Sequence, residues 1–258
     1  DISQAFDRVW HDGLLFKLKH FLLAPYYLIL KSYLENRSFS VRINNSISIL
    51  HSIGAGVPQE SDLSPLLYNV YTSDIPSTNN TILATYANDT AILASSSDAN
   101  VASEYIQSHL NLITTWANNW RIKINETKSV QINFTLRRNE IPPLILNGTC
   151  IPIQSSTKYL GITLDKILTW SHHTKSKRKQ ANIRLHLLRP ILKSKISLAN
   201  KMLIYKSLIR PVWSYGIQIW GPAKPSNIRP LQSFQSIALR IITNAPWYLT
   251  NQNLQKDL

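Results

Sequence analysis

The chain has few of the residues that mark several large classes of protein. A single cysteine, Cys150, among 258 residues excludes an internal disulfide framework and a cysteine-rich zinc site. No apolar run approaches the roughly 20 residues that a membrane-spanning helix requires, and no signal peptide opens the sequence. Together with an apolar share of 44%, these absences predict an intracellular globular protein of the nucleus or cytoplasm, without a membrane partner.

Acidic residues are absent from a long C-terminal stretch. Lys166 to Lys256 contain sixteen Lys or Arg and no Asp or Glu, whereas residues 1–165 contain twelve basic and thirteen acidic residues. A phosphate backbone is the expected partner of such a cation, although a solvated basic surface or contact with an acidic membrane would use the same charge. The predicted nucleic-acid-binding residues are Lys175, Lys177, Arg178, Lys179, Lys193 and Lys195. The interleaved aromatic residues either stack on bases or belong to the core; they are Trp170, Tyr205, Trp213, Tyr215 and Trp220.

Residues 81–94 form the most informative short stretch. Two apolar runs flank Asn88-Asp89, a pair that favours a tight turn, so the pattern predicts a β-hairpin with a carboxylate at its tip. An ordinary hairpin turn without any chemistry would give the same pattern. The decision therefore depends on other motifs along the chain.

The remaining pattern is α+β. Helical periodicity is predicted over residues 13–34 with a break at Pro25, and over residues 98–120, while short strands are predicted over 36–49, 121–134 and 158–165. Between them, Gly54 to Pro58 form a loop that leads into an apolar helix, with Ser61 or Ser64 as its predicted cap. After a boundary near residues 166–173 the basic remainder is mainly helical. These patterns predict one domain over 1–165 and a second, basic helical domain over 166–258.

Five blocks follow one another in a fixed order. They are Asp1…Ala5-Phe6-Asp7, Gly56-Val-Pro-Gln-Glu-Ser61, Tyr86-Ala-Asn-Asp89, Trp120…Asn125…Lys128 and Lys158-Tyr-Leu-Gly161. This series resembles the reverse transcriptases of non-LTR retrotransposons, in particular those of jockey-like elements. The resemblance covers nearly the whole chain, including Arg210-Pro, Tyr215-Gly and Ala245-Pro-Trp-Tyr in the tail.

The resemblance implies a right-hand polymerase. An antiparallel palm with packed helices would be followed by a thumb-like helical region, and the fingers would lie mostly upstream of Asp1, so that the chain is expected to be a truncated fragment. Such enzymes copy an RNA template onto a DNA primer from dNTPs. Their carboxylates hold two Mg²⁺ ions. These ions activate the primer 3′-hydroxyl and stabilise the departing pyrophosphate. By similarity, Asp1 and Asp89 are the predicted metal ligands.

Two positions depart from the family pattern. The family reads aromatic-Ala-Asp-Asp at the hairpin, where this chain has Asn88 in place of the first Asp, and Pro-Gln-Gly-Ser where this chain has Glu60 in place of Gly. An amide oxygen is a weaker ligand for hard cations than a carboxylate, and Glu60 adds bulk and negative charge where the family glycine allows close backbone approach. Both substitutions predict a catalytically impaired copy.

Further site residues are implied by the same similarity. Asn88 and Lys128 complete the predicted catalytic set with Asp1 and Asp89, because Lys128 matches a lysine that protonates or neutralises pyrophosphate. Phe6, Gln59 and Tyr86 form the predicted substrate-binding set, with Phe6 as the bulky gate against the ribose 2′-hydroxyl. The alternatives are a core aromatic for Phe6, a solvated loop residue for Gln59 and a surface lysine for Lys128.

Two other interpretations remain open at this level. The chain could be a nucleic-acid-binding relic without catalysis that uses residues 166–256 for nonspecific affinity. It could also be a relic that does not fold stably on its own, in which case no cooperative melting transition would be seen. The order of the blocks favours polymerase ancestry, while Asn88 and Glu60 favour lost activity.

Overall fold

Helices and short antiparallel strand pairs alternate along the chain in a computed structural model that describes residues 2–58, 61–137, 141–246 and 248–251. The helices are α1 (His11–Phe21), α2 (Ala24–Leu34), α3 (Leu63–Tyr71), α4 (Ala99–Asn119), α5 (Ser171–Lys193), α6 (Leu198–Ile204), α7 (Arg210–Ser214), α8 (Ile217–Trp220) and α9 (Pro225–Thr243). The strands are β1 (Ser38–Phe39), β2 (Arg42–Ile43), β3 (Ser46–Ile47), β4 (His51–Ser52), β5 (Ile82–Tyr86), β6 (Asp89–Leu93), β7 (Ile145–Leu146), β8 (Thr149–Cys150), β9 (Ser156–Tyr159) and β10 (Ile162–Asp165). The mixture of helices and small antiparallel sheets confirms the predicted α+β class at this level. Within those ranges, no helix has the length and apolarity needed to cross a bilayer.

The strands pair two by two, each pair antiparallel. The pairs are β1 with β4, β2 with β3, β5 with β6, β7 with β8 and β9 with β10. Asn44, with a φ of 53°, lies in the turn between β2 and β3, at the Asn-Asn pair that favours a turn.

The chain divides into two compact units. The first unit comprises Asp1–Gln131 and Asn139–Gln154, and the second comprises Ile132–Arg138 and Ser155–Leu258. This division falls between Gln154 and Ser155, so the β9–β10 hairpin belongs to the second unit. The predicted assignment of 1–165 and 166–258 to a palm and a thumb-like domain stays a prediction.

The first unit encloses its core between α1, α2, α3 and α4. Pro25 lies in the first turn of α2, where its missing N–H needs no partner, and this explains the predicted break between the first two helices. The core is formed by apolar and aromatic side chains that include Val9, Leu14, Leu34, Leu67, Tyr71 and Trp116. Burial of these side chains is the main stabilising term for the unit.

A buried lysine connects three segments of this core. The Lys17 ammonium on α1 donates to the Asp74 carboxylate at 2.5 Å and lies 3.6 Å from the centre of the Trp120 ring. The Trp116 indole N–H donates to the same carboxylate oxygen at 2.9 Å. Burial lowers the pKa of Lys17, and the hydrogen bond and charge of Asp74 oppose that shift. The ion pair therefore fixes the end of α4 against α1, just before the chain enters residues 121–124.

Two local predictions in the first unit are wrong in detail. The cap residue of α3 is Asp62, without a side-chain capping bond, while the Ser61 hydroxyl accepts from the Leu63 N–H at 3.3 Å. Strands do not run through residues 121–134, where the described backbone has only isolated bridges at Ile124 and Gln131 and a 3₁₀ turn at Glu126–Lys128. The Asn125 side chain accepts from the Lys128 N–H at 3.3 Å, and this local bond competes with strand pairing.

The second unit packs α5 along α9 around tryptophan and aliphatic side chains. Trp170, Leu192, Tyr205, Trp213, Trp220 and Phe234 belong to its core. A π-helical turn at Tyr205–Ile209 precedes α7. Pro211 cannot donate a hydrogen bond to the preceding turn, and the widened turn accommodates that loss.

A buried carboxylate orders the start of α5. The Asp165 side chain accepts from the backbone N–H groups of Thr169 and Trp170, both at 2.9 Å, and from that of Ile167 at 3.2 Å. These hydrogen bonds lower the pKa of Asp165, although burial acts in the opposite direction as the largest single influence. Asp165, the last acidic residue before the basic region, thus has a structural role.

Candidate active site

The predicted hairpin is confirmed, with a small correction at its tip. β5 and β6 pair from Ile82–Leu93 to Tyr86–Asp89, so Ala87 and Asn88 form the two-residue turn and Asp89 is the first residue of β6. Ala87 has a φ of 50°, a conformation that costs an L-residue about 1–2 kcal/mol and that glycine adopts freely. The chain therefore holds Asn88 and Asp89 on a strained, tight turn.

The segment after Asp1 binds the backbone of this turn. The Ile2 N–H donates to the Asn88 carbonyl oxygen at 3.0 Å, and the Ser3 N–H donates to the Lys123 carbonyl oxygen at 2.9 Å. Ile2 also forms an antiparallel bridge with Ile124. Three of the sequence blocks, far apart in the chain, thus meet within one hydrogen-bonded arrangement.

The glycine loop attaches to the other side of the first block. The Val57 N–H donates to the Phe6 carbonyl oxygen and the Gly56 N–H donates to the Val9 carbonyl oxygen, both at 2.8 Å. Gly56 has a φ of +93°, and a Cβ at this position would lie 2.8 Å from the Asp7 carbonyl oxygen. Only glycine fits both the backbone conformation and the close approach. The Gly-x-Gly pattern of the sequence was the signal for this position.

Phe6 rests on a tyrosine that sequence reasoning did not select. The Phe6 ring lies 5.0 Å from the Tyr68 ring, centre to centre. Phe6 is partly buried, whereas Tyr68 on α3 is fully buried, and burial raises the pKa of Tyr68 to about 12. Phe6 therefore has one face against the core and part of its surface accessible, an arrangement compatible with either a gate or a core aromatic.

The hairpin offers oxygen ligands of the type that hard divalent cations prefer. Asp89 and Asn88 are adjacent and partly exposed. Among the described residues, no three His, Cys, Asp or Glu side chains converge on one point, and Asp1 lies outside those residues. The donor set on the hairpin fits a divalent cation in kind, but it contains one carboxylate fewer than the two expected there.

The other predicted site residues are distributed as follows. Asp1 and Gln59, like Glu60, lie outside the described residues. Tyr86 is 67% exposed beside Asp89, and Lys128 is exposed on the 3₁₀ turn that Asn125 caps. The catalytic role of Lys128 stays a prediction.

The predicted basic residues do not form a single face. On α5, Lys175, Lys179 and Lys193 project from the side opposite Lys177, because successive residues are rotated by about 100°. Lys177 instead lines a groove with Arg184, which sequence reasoning did not select. Four of the five interleaved aromatic residues are core, and only Tyr215 is exposed, at 52%.

Comparison with known proteins decides the family. The family described as "Reverse transcriptase (RNA-dependent DNA polymerase)" matches residues 1–164. The chain belongs to the reverse transcriptase family. This membership confirms the resemblance seen in the sequence blocks and implies a polymerase palm fold.

Relatives of the chain are transposable-element polymerases of Drosophila melanogaster. It is 44% identical over 270 residues to a "Probable RNA-directed DNA polymerase from transposon BS" and 42% identical over 265 residues to one "from transposon X-element". It is 38% identical over 268 residues to the "RNA-directed DNA polymerase from mobile element jockey". Each match covers 100% of this chain but only 29–30% of the relative. The chain therefore spans about 30% of the length of these reverse transcriptases.

Proposed function

We propose that this chain is the palm and thumb-like part of an RNA-directed DNA polymerase of a jockey-like non-LTR retrotransposon. The observation that carries the proposal is the hydrogen bond from the Ile2 N–H to the Asn88 carbonyl oxygen, because it brings the block that begins with Asp1 to the tip of the Asp89 hairpin. Adjacent carboxylates on a strand and a hairpin tip are the arrangement that nucleotidyl transfer with bound metal ions requires. RNA template, DNA primer and dNTPs are the proposed partners, and an intracellular location stays a prediction.

In this function Asp1 and Asp89 would hold Mg²⁺, which supplies charge neutralisation at the reacting phosphate. Phe6, braced by Tyr68, would exclude the ribose 2′-hydroxyl of the incoming nucleotide. Gln59 and Tyr86 would contact the nucleotide and template, and Lys128 would neutralise the pyrophosphate. The hairpin would present Tyr86 and Asp89 at the end of the primer.

We further propose that this copy is catalytically impaired. Asn88 replaces a carboxylate that the family places at the hairpin, and loss of one positioned metal ligand costs roughly a thousandfold in rate, or about 4 kcal/mol of transition-state stabilisation. Glu60 adds a negative charge in the loop that should approach phosphates. Inactivity would not alter the fold, because the Ile2–Asn88 hydrogen bond uses a backbone carbonyl that Asn and Asp share.

The test is extension of a DNA primer on an RNA template with Mg²⁺ and dNTPs. The chain would be fused behind the upstream polymerase segment of the jockey relative and compared with the Asn88→Asp, Glu60→Gly double variant. The double variant is expected to extend the primer, and adding Asp89→Asn to it should abolish extension. Phe6→Val in the active variant should admit ribonucleotides. No extension by the double variant would contradict the polymerase proposal.

A second function is supported by the charge of the second unit. Residues 166–256 contain sixteen basic and no acidic residues, so the chain could bind RNA or DNA without catalysis. Nucleic-acid binding by a chain whose Asn88→Asp, Glu60→Gly variant still extends no primer would be its signature. A steep decrease of affinity with salt is expected in either case.

A further inference from the structure

A groove in the second unit lies between the side of α5 and the start of α7. Its volume is about 440 Å³. Lys177, Gln180, Ile183 and Arg184 line it from α5, and Pro211, Val212 and Tyr215 line it from α7 and the residue that follows α7. The α5 side therefore carries two cations together with Gln180 and the exposed Ile183, and the other side is apolar and aromatic.

Tyr215 is held on the apolar and aromatic side of the groove with its ring partly open to solvent. Its hydroxyl donates to the Leu160 carbonyl oxygen at 2.9 Å, and Gly161 leaves room for the ring, since a Cβ there would lie 3.1 Å from it. The other four interleaved aromatic residues are core: Trp170 and Trp213 are 8%, Tyr205 3% and Trp220 1% exposed. Tyr215 alone among these five residues combines a hydroxyl fixed by a hydrogen bond with a half-exposed side chain.

A lysine lies over this ring. The Lys177 ammonium lies 5.4 Å from the centre of the Tyr215 ring. Burial lowers the pKa of Lys177, and the nearby positive charge of Lys158 lowers it further. No acidic side chain occurs from residue 166 to 256 to balance these cations. An anion in the groove would relieve the repulsion, which makes a phosphate group the complementary ligand.

The spacing of the cations sets the size of the ligand. Lys177 and Arg184 are seven residues apart on one side of α5, which corresponds to about 10 Å along the helix. At about 3.4 Å per nucleotide of one strand, this distance accommodates roughly three nucleotides. A base can stack on an aromatic ring only if its face is free, as in a single strand, because bases in a duplex are stacked on one another.

We propose that this groove binds single-stranded nucleic acid over about three nucleotides, with one base stacked on Tyr215 and the phosphates held by Lys177 and Arg184. The inference deepens the proposed function, since it rests on a nucleic-acid partner and assigns that partner a site and a strandedness. It needs no catalytic activity of the hairpin. The proposal assigns a role to Lys177 and none to Lys175, whose side chain projects from the opposite side of α5.

The test compares the affinity of the whole chain for a labelled 12-nucleotide single strand, as RNA and as DNA, with that for a duplex of the same sequence. Tyr215→Leu removes the ring, and Tyr215→Phe is the matched control that keeps the ring but loses the hydroxyl. We expect Tyr215→Leu to weaken single-strand binding about tenfold and to leave duplex binding unchanged, while Tyr215→Phe stays near the unmodified chain. Thermal melting of each variant checks that folding is retained.

The cations are tested by the salt dependence of binding. Lys177→Gln should reduce the slope of log affinity against log salt by about 0.7 for a single strand, and more than the control Lys175→Gln does. Three results would contradict binding in the groove. They are equal effects of Tyr215→Leu and Tyr215→Phe, an equal loss of affinity for the duplex, and equal effects of the two lysine variants. If the unmodified chain binds no nucleic acid at all, both the groove and the nucleic-acid partner of the proposed function fail. The difference in affinity between the RNA and the DNA single strand shows which of the two the groove prefers.

Discussion

Acidification should destabilise the second unit through one buried histidine. His173 is 1% exposed, and its Nδ1 accepts a hydrogen bond from the Thr163 N–H at 3.1 Å. Its ring packs between Trp170 and Trp220, at 6.5 Å and 5.8 Å between ring centres. Burial, with a smaller effect from the charge of Lys177, lowers the pKa of His173 from 6.5 to about 4. The folded unit therefore holds this imidazole neutral in a range where the unfolded chain protonates it.

The sign and size of the effect follow from that difference. The contribution of His173 is complete above pH 6.5, the pKa of the unfolded chain, and it is lost progressively as the pH falls towards 4. Between pH 7.5 and pH 5 the unfolded state binds a proton at this histidine while the folded state does not. This protonation stabilises the unfolded state relative to the folded state by roughly 2 kcal/mol. The free energy of unfolding should decrease by about that amount from this group alone.

The assay is denaturant unfolding monitored by tryptophan fluorescence at pH 7.5 and pH 5. His173→Gln provides an uncharged side chain whose oxygen can still accept from the Thr163 N–H, and His172→Gln is the control at the exposed neighbouring histidine. We expect the acid-induced loss of stability to shrink by about 2 kcal/mol in His173→Gln and to remain in His172→Gln. An unchanged loss in His173→Gln would refute the reasoning.

Two backbone predictions concern the candidate active site. Gly56→Ala should lower the free energy of unfolding by about 2 kcal/mol or more, because a φ of +93° and a contact of 2.8 Å with the Asp7 carbonyl exclude a Cβ. Gly54→Ala is the control, since a Cβ there meets nothing within 4 Å, and equal losses in the two variants would show that the close approach does not exist. Ala87→Gly should stabilise the chain by about 1 kcal/mol by relieving the φ of 50°, as measured by thermal melting, and a destabilised variant would contradict the turn geometry.

Local patterns predicted the elements that are decided locally. The Asn88 turn and the helix break at Pro25 follow from the conformations that these residues favour, and the structure contains both. The α+β class could be predicted for the same reason. The residues around Asn125 were misassigned as strand because alternation cannot reveal a side chain that bonds to its own backbone.

Features that depend on tertiary packing could not be predicted from the sequence. Composition could not show that Tyr215 is exposed while Trp220 is core, because both are aromatic residues within one basic region. Nor could it place Arg184 beside Lys177 in a groove, since that requires the packing of α7 against α5. The contact of the Ile2 backbone with Asn88 was anticipated only through family resemblance, which supplied the order of the blocks and the expectation that they meet.

We propose that a sound polymerase palm has been silenced at Asn88 and Glu60. The most direct test of this proposal is the ratio of primer-extension rates, on an RNA template with Mg²⁺, between the Asn88→Asp, Glu60→Gly variant and the unmodified chain in the same fusion. We expect a ratio of roughly a thousand or more, with activity that disappears again when Asp89 is changed to Asn. A ratio near one, with extension by the unmodified chain, would contradict it.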